Sequence, residues 1–182
     1  MNVIKNLIAE NGVIYLISQI ISIVATFFLL ISYQQRTHKR IVGMQALAAL
    51  LFGTQYLMIG QYPGMICNYI GMIRAVSYSF RTKSKFIDSP ICPCVFAAMF
   101  AISGIFTYTT PLSLLPTVAM MISSFVQWNI KAQHLRALTL PTSIMWLIYN
   151  ASCGAAVAVG TELLSEVSIF IGLFRFRKKK NK

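Results

Sequence analysis

Apolar residues recur along the 182-residue chain in seven long runs, at about 13–33, 41–59, 63–80, 91–108, 112–130, 137–153 and 157–174, separated by short turns. Each run is near the length that an α-helix needs to cross about 30 Å of hydrocarbon. The connectors leave no room for a soluble domain. The pattern therefore predicts one all-α integral membrane domain over 1–182, a compact bundle whose consecutive helices run antiparallel. The first run follows Lys5 and looks like a signal peptide, but it is too long for such a segment. It also continues into Gln34-Gln35-Arg36 without a small-residue cleavage site, so it reads as a retained helix.

The polar positions interrupting the runs are as informative as the runs. Between 31 and 80, Gln45, Gln55, Asn68 and Arg74 sit in apolar surroundings on either side of a turn marked by Gly60 and Gly64. A buried amide or guanidinium in hydrocarbon costs several kcal/mol unless it meets a partner or a cavity, so these side chains belong inside the bundle.

Sliding the chain by 94 residues brings Phe52 onto Trp146, Gly60 onto Gly154, Asn68 onto Glu162, Phe80 onto Phe174, Arg81 onto Arg175, Lys83 onto Arg177 and Lys85 onto Lys179. The shift superposes the first three runs (13–80) on the last three (112–174) and leaves 91–108 as a linker helix. Three crossings invert a chain and a fourth restores its direction. The reading is a seven-helix 3-1-3 arrangement of two parallel three-helix repeats about an axis along the membrane normal.

Charge fixes the expected orientation. The turns after the first, third and fifth runs carry Arg36, Lys39 and Arg40, then Arg81, Lys83 and Lys85, then Lys131 and Arg136. The tail at 175–182 adds six more, whereas the turns after the second, fourth and sixth runs hold no Lys or Arg. The positive-inside rule then places the N-terminus outside and the C-terminus in the cytoplasm, with the basic tail as an anchor on an anionic leaflet.

Composition agrees with a bilayer as solvent and partner: 57% of residues are hydrophobic and 11% charged, with a mean hydropathy of +0.67. The net charge of +12 comes in clusters between apolar runs without aromatic interleaving, which argues against nucleic acid. No HExxH, GxSxG or Gly-rich phosphate loop is present, and His38 and His134 lie in basic turns, so neither an enzyme nor a cofactor is expected. Cys67, Cys92, Cys94 and Cys153 lie in or beside apolar runs. The Cys92-Pro93-Cys94 pair lacks a second pair or a nearby histidine, so inert thiols rather than a metal site are expected.

Several other features have structural readings. Small residues four apart at Ala49/Gly53, Gly60/Gly64 and Gly154/Ala158 favour close helix packing. Pro111 suits a helix start, while Pro116 and Pro141 are expected to bend their helices. Tyr33, Tyr62, Tyr108 and Trp128 stand at run ends and read as an interfacial belt. Tyr56, Trp146, Tyr149 and Asn150 lie deeper, as bundle packing or as groups that stack on and hydrogen-bond a solute. Glu162 and Glu166 are one turn apart, and the 94-residue shift puts Glu166 nearly level with Arg74. The expectation is an Arg74–Glu166 ion pair, with Glu162 and Asn68 facing an outer vestibule.

The stretches SYQQRTHKRIVGMQALAALLFGTQYLMIGQYPG and CNYIGMIRA resemble the first half of the bacterial inner membrane protein YgjV family. PLSLLPTVAMMISSFVQWNIKAQHLRALTLPTSIMWLIYN and GTELLSEVSIFIGLFRF resemble its second half. The resemblance implies a multi-pass inner membrane protein related to the PQ-loop and SWEET-like proteins, with Asn68 placed like the asparagine lining the SWEET sugar pocket. The proline-glutamine pair of that group is absent. Tyr33-Gln34-Gln35 ends the first helix and Pro116 precedes Thr117, so hinge motion at that pair does not carry over.

The sequence thus points to a transporter of a small polar solute, with Asn68, Arg74, Glu162, Glu166, Trp146 and Asn150 as candidate binding or coupling residues. The competing reading is a structural or regulatory membrane protein in which the same residues lock the bundle. A homo-oligomer is compatible with either.

Overall fold

The computed structural model describes residues 2–128 and 131–176. The basic tail beyond 176 and residues 129–130, where the fifth run ends, lie outside the described residues. Helix α1 (Asn2–Tyr33) is broken at Gly12, where φ is 41° and ψ −109°, so the expected crossing begins only after that glycine. There follow α2 (His38–Met58), α3 (Tyr62–Ser79), a 3₁₀ turn at Arg81–Lys83, the single-turn α4 (Lys85–Asp88) and α5 (Ile91–Phe106). The chain closes with α6 (Leu114–Trp128), α7 (Ala132–Ser152) and α8 (Ala156–Arg175).

Each run read from the sequence lies on one of the long helices. Among the described residues, four stretches are long and apolar enough to cross a membrane by length and composition: Gly12–Tyr33, His38–Met58, Pro111–Trp128 and Ala156–Arg175. Helix α5, with 16 residues, is shorter, and α3 and α7 fall below the same standard because they carry much of the polar load. An apolar shell still covers the outside: Val13, Ile20 and Phe27 of α1, Phe106 of α5 and Phe174 of α8 are all exposed, a surface suited to lipid.

Helix packing makes a closed ring. α1 lies against α2, α2 against α3, α3 against α6, α6 against α7, α7 against α8, and α8 back against α1, while α5 lies outside on α3 and α6. The α1–α8 seam is stitched by polar groups: Tyr15 donates to Gly154 O at 3.2 Å, Val157 N–H to Gln19 Oε1 at 3.1 Å, and Ser168 to Leu30 O at 3.1 Å.

The turns at one end of the ring are copies of each other. Gly60 (φ 69°) and Gly154 (φ 72°) take the left-handed conformation that ends α2 and α7. Gln61 N–H donates to Tyr56 O at 2.9 Å and Ala155 N–H to Asn150 O at 3.1 Å, the same bond 94 residues later. We call this the glycine-turn end, and the other, which carries the basic turns, the basic end.

Two local expectations are corrected. Pro116 sits in the first turn of α6, after the 3₁₀ turn at Pro111–Ser113, where no intrahelical N–H is required, so it bends nothing; Pro141 does lie inside α7. The stretch 81–88, read as a basic turn, is a built lock. Arg81 stacks 3.7 Å over the Trp128 ring, its Nε donates to Asp88 Oδ1 at 2.8 Å, and Trp128 Nε1 donates to Ile87 O at 2.9 Å.

Candidate functional site: a central cavity

The ring encloses a cavity of about 120 Å³ to which all six of its helices contribute. Its walls repeat. Leu29 and Ser123, Tyr33 and Gln127, Gln45 and Thr139, Ala48 and Thr142, Ala49 and Ser143, Phe52 and Trp146, Tyr56 and Asn150, and Asn68 and Glu162 all line it, and each pair is separated by 94 residues. A volume of this size holds several waters or one small organic molecule.

An aromatic and amide cluster bounds the cavity at the glycine-turn end. Tyr56 stacks on Trp146 with ring centroids 6.0 Å apart, Trp146 meets Tyr149 edge-on at 5.9 Å, and the Tyr56 hydroxyl donates to Asn150 Oδ1. Gly64 N–H donates to Tyr149 Oη at 3.1 Å, and a Cβ at Gly64 would lie 2.9 Å from the Tyr56 ring. Only glycine lets α3 approach this cluster so closely.

In the middle of the cavity, close approaches of Gly53 to Tyr69 and of Gly64 to Tyr56 set the antiparallel register of α2 and α3 and put Phe52 level with Asn68. The 94-residue relation puts Trp146 level with Glu162. Asn68 donates one Nδ2 hydrogen to Gly64 O at 2.9 Å, which leaves Oδ1 and the second N–H for other partners. Glu162 accepts from the Ser143 hydroxyl at 2.5 Å and forms no ion pair among the described residues.

At the basic end, Gln127 Nε2 donates to Gln45 Oε1 at 3.1 Å, His38 Nε2 lies 2.6 Å from Gln127 O, and Tyr33 lines the wall. Arg136 lies beneath this layer with 1% exposure, its Nε donating to Tyr33 O at 2.9 Å and its Nη2 to Gln35 O at 2.5 Å. A guanidinium on the last carbonyls of α1 satisfies acceptors that lack an intrahelical partner and meets the negative end of the helix dipole.

Of the residues singled out in the sequence, Asn68, Arg74, Glu162, Trp146 and Asn150 line the cavity and Glu166 does not. The expected Arg74–Glu166 pair is absent. Arg74, 1% exposed, donates from Nη1 to Met120 O at 2.8 Å and to Ser124 Oγ at 3.0 Å, and its guanidinium carbon lies 5.1 Å from the Phe100 ring centre on α5. The cause is geometric: Arg74 belongs to the α3–α6 seam, whereas α8, which carries Glu166, packs against α7 and α1. Tyr33 is also corrected, since at 3% exposure it is a cavity wall and not part of an interfacial belt, whereas Tyr62 and Tyr108 are exposed. Cys92 is buried and Cys94 exposed, so the two thiols face apart.

Sequence reasoning passed over Thr139, Thr142, Ser143, Ser123 and Gln127. A signal for Thr139 and Ser143 was present, because Thr139, Ser143, Trp146 and Asn150 recur at 4, 3 and 4 residues along α7, the stripe of one helix face.

A family model described as bacterial inner membrane protein, Imp-YgjV, matches residues 16–180. The chain is also similar to the inner membrane protein YgjV of Escherichia coli strain K12, at 20% identity over 168 residues, covering 91% of this chain and 88% of that protein. No solved structure matches it.

Proposed function

We propose that this chain, which belongs to the YgjV family of bacterial inner membrane proteins, is a carrier of a small polar solute rather than an enzyme. The carrier is built as two parallel three-helix repeats, α1–α3 and α6–α8, with α5 as linker, in the manner of SWEET-like proteins. The N-terminus lies outside and the C-terminus in the cytoplasm. The observation that carries this reading is the cavity wall: eight pairs of residues 94 positions apart line one space, of mixed polar and apolar character, at the centre of an apolar-coated ring. Two repeats meeting at a central site can rock about it to open either end in turn. Groups at both ends suit gates, the Tyr56–Trp146–Tyr149 cluster at one and the Gln45–Gln127 and Tyr33–Arg136 contacts at the other.

The test is uptake into proteoliposomes of radiolabelled sugars, amino acids, amines and small anions, with and without a pH gradient. The expected result is saturable uptake of one class, reduced by Asn68→Leu in protein that remains folded. Entry no faster than into empty liposomes for every class would favour the structural or regulatory reading.

A further inference from the structure

The cavity has a sign. Its lining includes one carboxylate, Glu162, held by Ser143 and without a cationic partner among the described residues. The cation on the wall, Arg74, donates from Nη1 to Met120 O and Ser124 Oγ and lies over the Phe100 ring, in the seam between α3, α6 and α5, while its buried Nε has no hydrogen-bond partner among the described residues. Along the bundle Arg74 stands six residues, about 9 Å of helix rise, from the level of Asn68 and Glu162. A carboxylate set in a bundle without an internal counter-ion requires water, a proton or a cation from outside.

The other groups at that level suit the third of these. Asn68 has one of its two amide hydrogens on Gly64 O and its Oδ1 unused as an acceptor among the described residues. Phe52 and Trp146 stand at the same level on opposite repeats, and aromatic faces attract cations. At this level a carboxylate, an amide oxygen and two aromatic side chains therefore line a space of about 120 Å³. The approach is also graded by charge: the turns at the glycine-turn end contain no Lys or Arg, while the basic end carries them in every turn, so a cation meets less repulsion from the former side.

We infer that the cavity binds a small primary ammonium, its N–H groups donating to Glu162 and Asn68 Oδ1 and its carbons lying between Phe52 and Trp146. This deepens the carrier reading and rests on it for its physiological meaning, but binding is measurable without transport. The full-length protein in phosphatidylcholine nanodiscs would be titrated by calorimetry with propylammonium, the neutral and slightly larger alcohol 1-butanol, the zwitterion β-alanine and the anion butyrate.

The expected result is saturable one-to-one binding of propylammonium, tighter by about tenfold or more than each of the other three, the worth of one charge-assisted contact. Glu162→Gln should remove that preference. The wild-type comparison of propylammonium with butanol decides even if this variant does not fold. Equal binding of amine and alcohol, a preference for β-alanine or butyrate, or an unchanged preference in Glu162→Gln would overturn the inference. Amine binding without uptake of any solute would remove the carrier and keep the cation site. Uptake of a sugar or an anion with no amine binding would remove the cation site and keep the carrier.

Discussion

Tyr56 and Asn150 occupy corresponding positions 94 residues apart, and the hydroxyl of one donates to the side-chain carbonyl of the other across the centre of the bundle. Helices α2 and α7 are not neighbours in the ring, so this bond spans the bundle at the glycine-turn end. Both side chains are buried. Tyr56→Phe should leave the Asn150 carbonyl without its donor and lower stability by about 1–3 kcal/mol. Asn150→Leu in the same background should cost less than it does alone. A double-mutant cycle on unfolding in mixed micelles checks this, with a coupling of about 0.5–3 kcal/mol expected; strict additivity would show that the bond does not join the halves.

The paired turns should respond alike. Gly60→Ala and Gly154→Ala each force a side chain into a left-handed conformation, at a cost of about 1–2 kcal/mol. Gly43→Ala, where an added Cβ meets nothing within 4 Å, is the control inside α2. Thermal melts followed by circular dichroism should show similar losses for the two turn variants and none for the control.

Arg74 and Glu166 should behave independently. Glu166→Gln is expected to change stability by no more than about 0.5 kcal/mol. Arg74→Lys should cost about 1.5–3 kcal/mol, because the shorter lysine loses the flat guanidinium that lies over the Phe100 ring and places its nitrogen short of the Met120 O and Ser124 Oγ acceptors that Nη1 reaches. Rescue of either variant by the other in a double-mutant cycle would restore the pairing that the seam geometry denies.

Gly172 is where α8 passes closest to the basic-end clamp. A Cβ there would lie 2.8 Å from Tyr33 O and 2.9 Å from Arg136 Nε. One of these atoms is backbone and the other is held by its own hydrogen bond, so neither moves cheaply. Gly172→Ala should destabilise by about 1–3 kcal/mol, whereas Gly160→Ala on the same helix, with nothing within 4 Å, should be neutral or better. Comparing the two melting temperatures separates this contact from a general intolerance of α8.

The helices were legible because membrane runs are nearly continuous, and the two turns because glycine at 60 and 154 serves the same backbone need. The shift of 94 could be read from a few punctuating residues, and corresponding pairs then recur on the cavity wall. What could not be read was side-chain direction. Arg74 and Glu166 are close in level, but level says nothing about which neighbour a helix face meets. Ring order decides that, and it is set by packing between helices far apart in sequence. Tyr33 and Arg136 failed for a related reason: a tyrosine at a run end and an arginine in a basic turn have common surface roles, and only the close passage of α7 under the end of α1 draws them inside.

Helix α5 makes the ring lopsided. It braces the α3–α6 seam, with Phe100 beneath the Arg74 guanidinium and Phe96 edge-on to Tyr78 at 5.6 Å. The α8–α1 seam has α5 nowhere near it, and the exposed side chains of α1 and α8 form its outer face. A book opens away from its spine. If the halves part, they should pivot at α5 and gape between α1 and α8. Spin labels across the α1–α8 seam should then show a broader distance distribution than labels across α3–α6, and lipid rather than protein would close behind the moving edge.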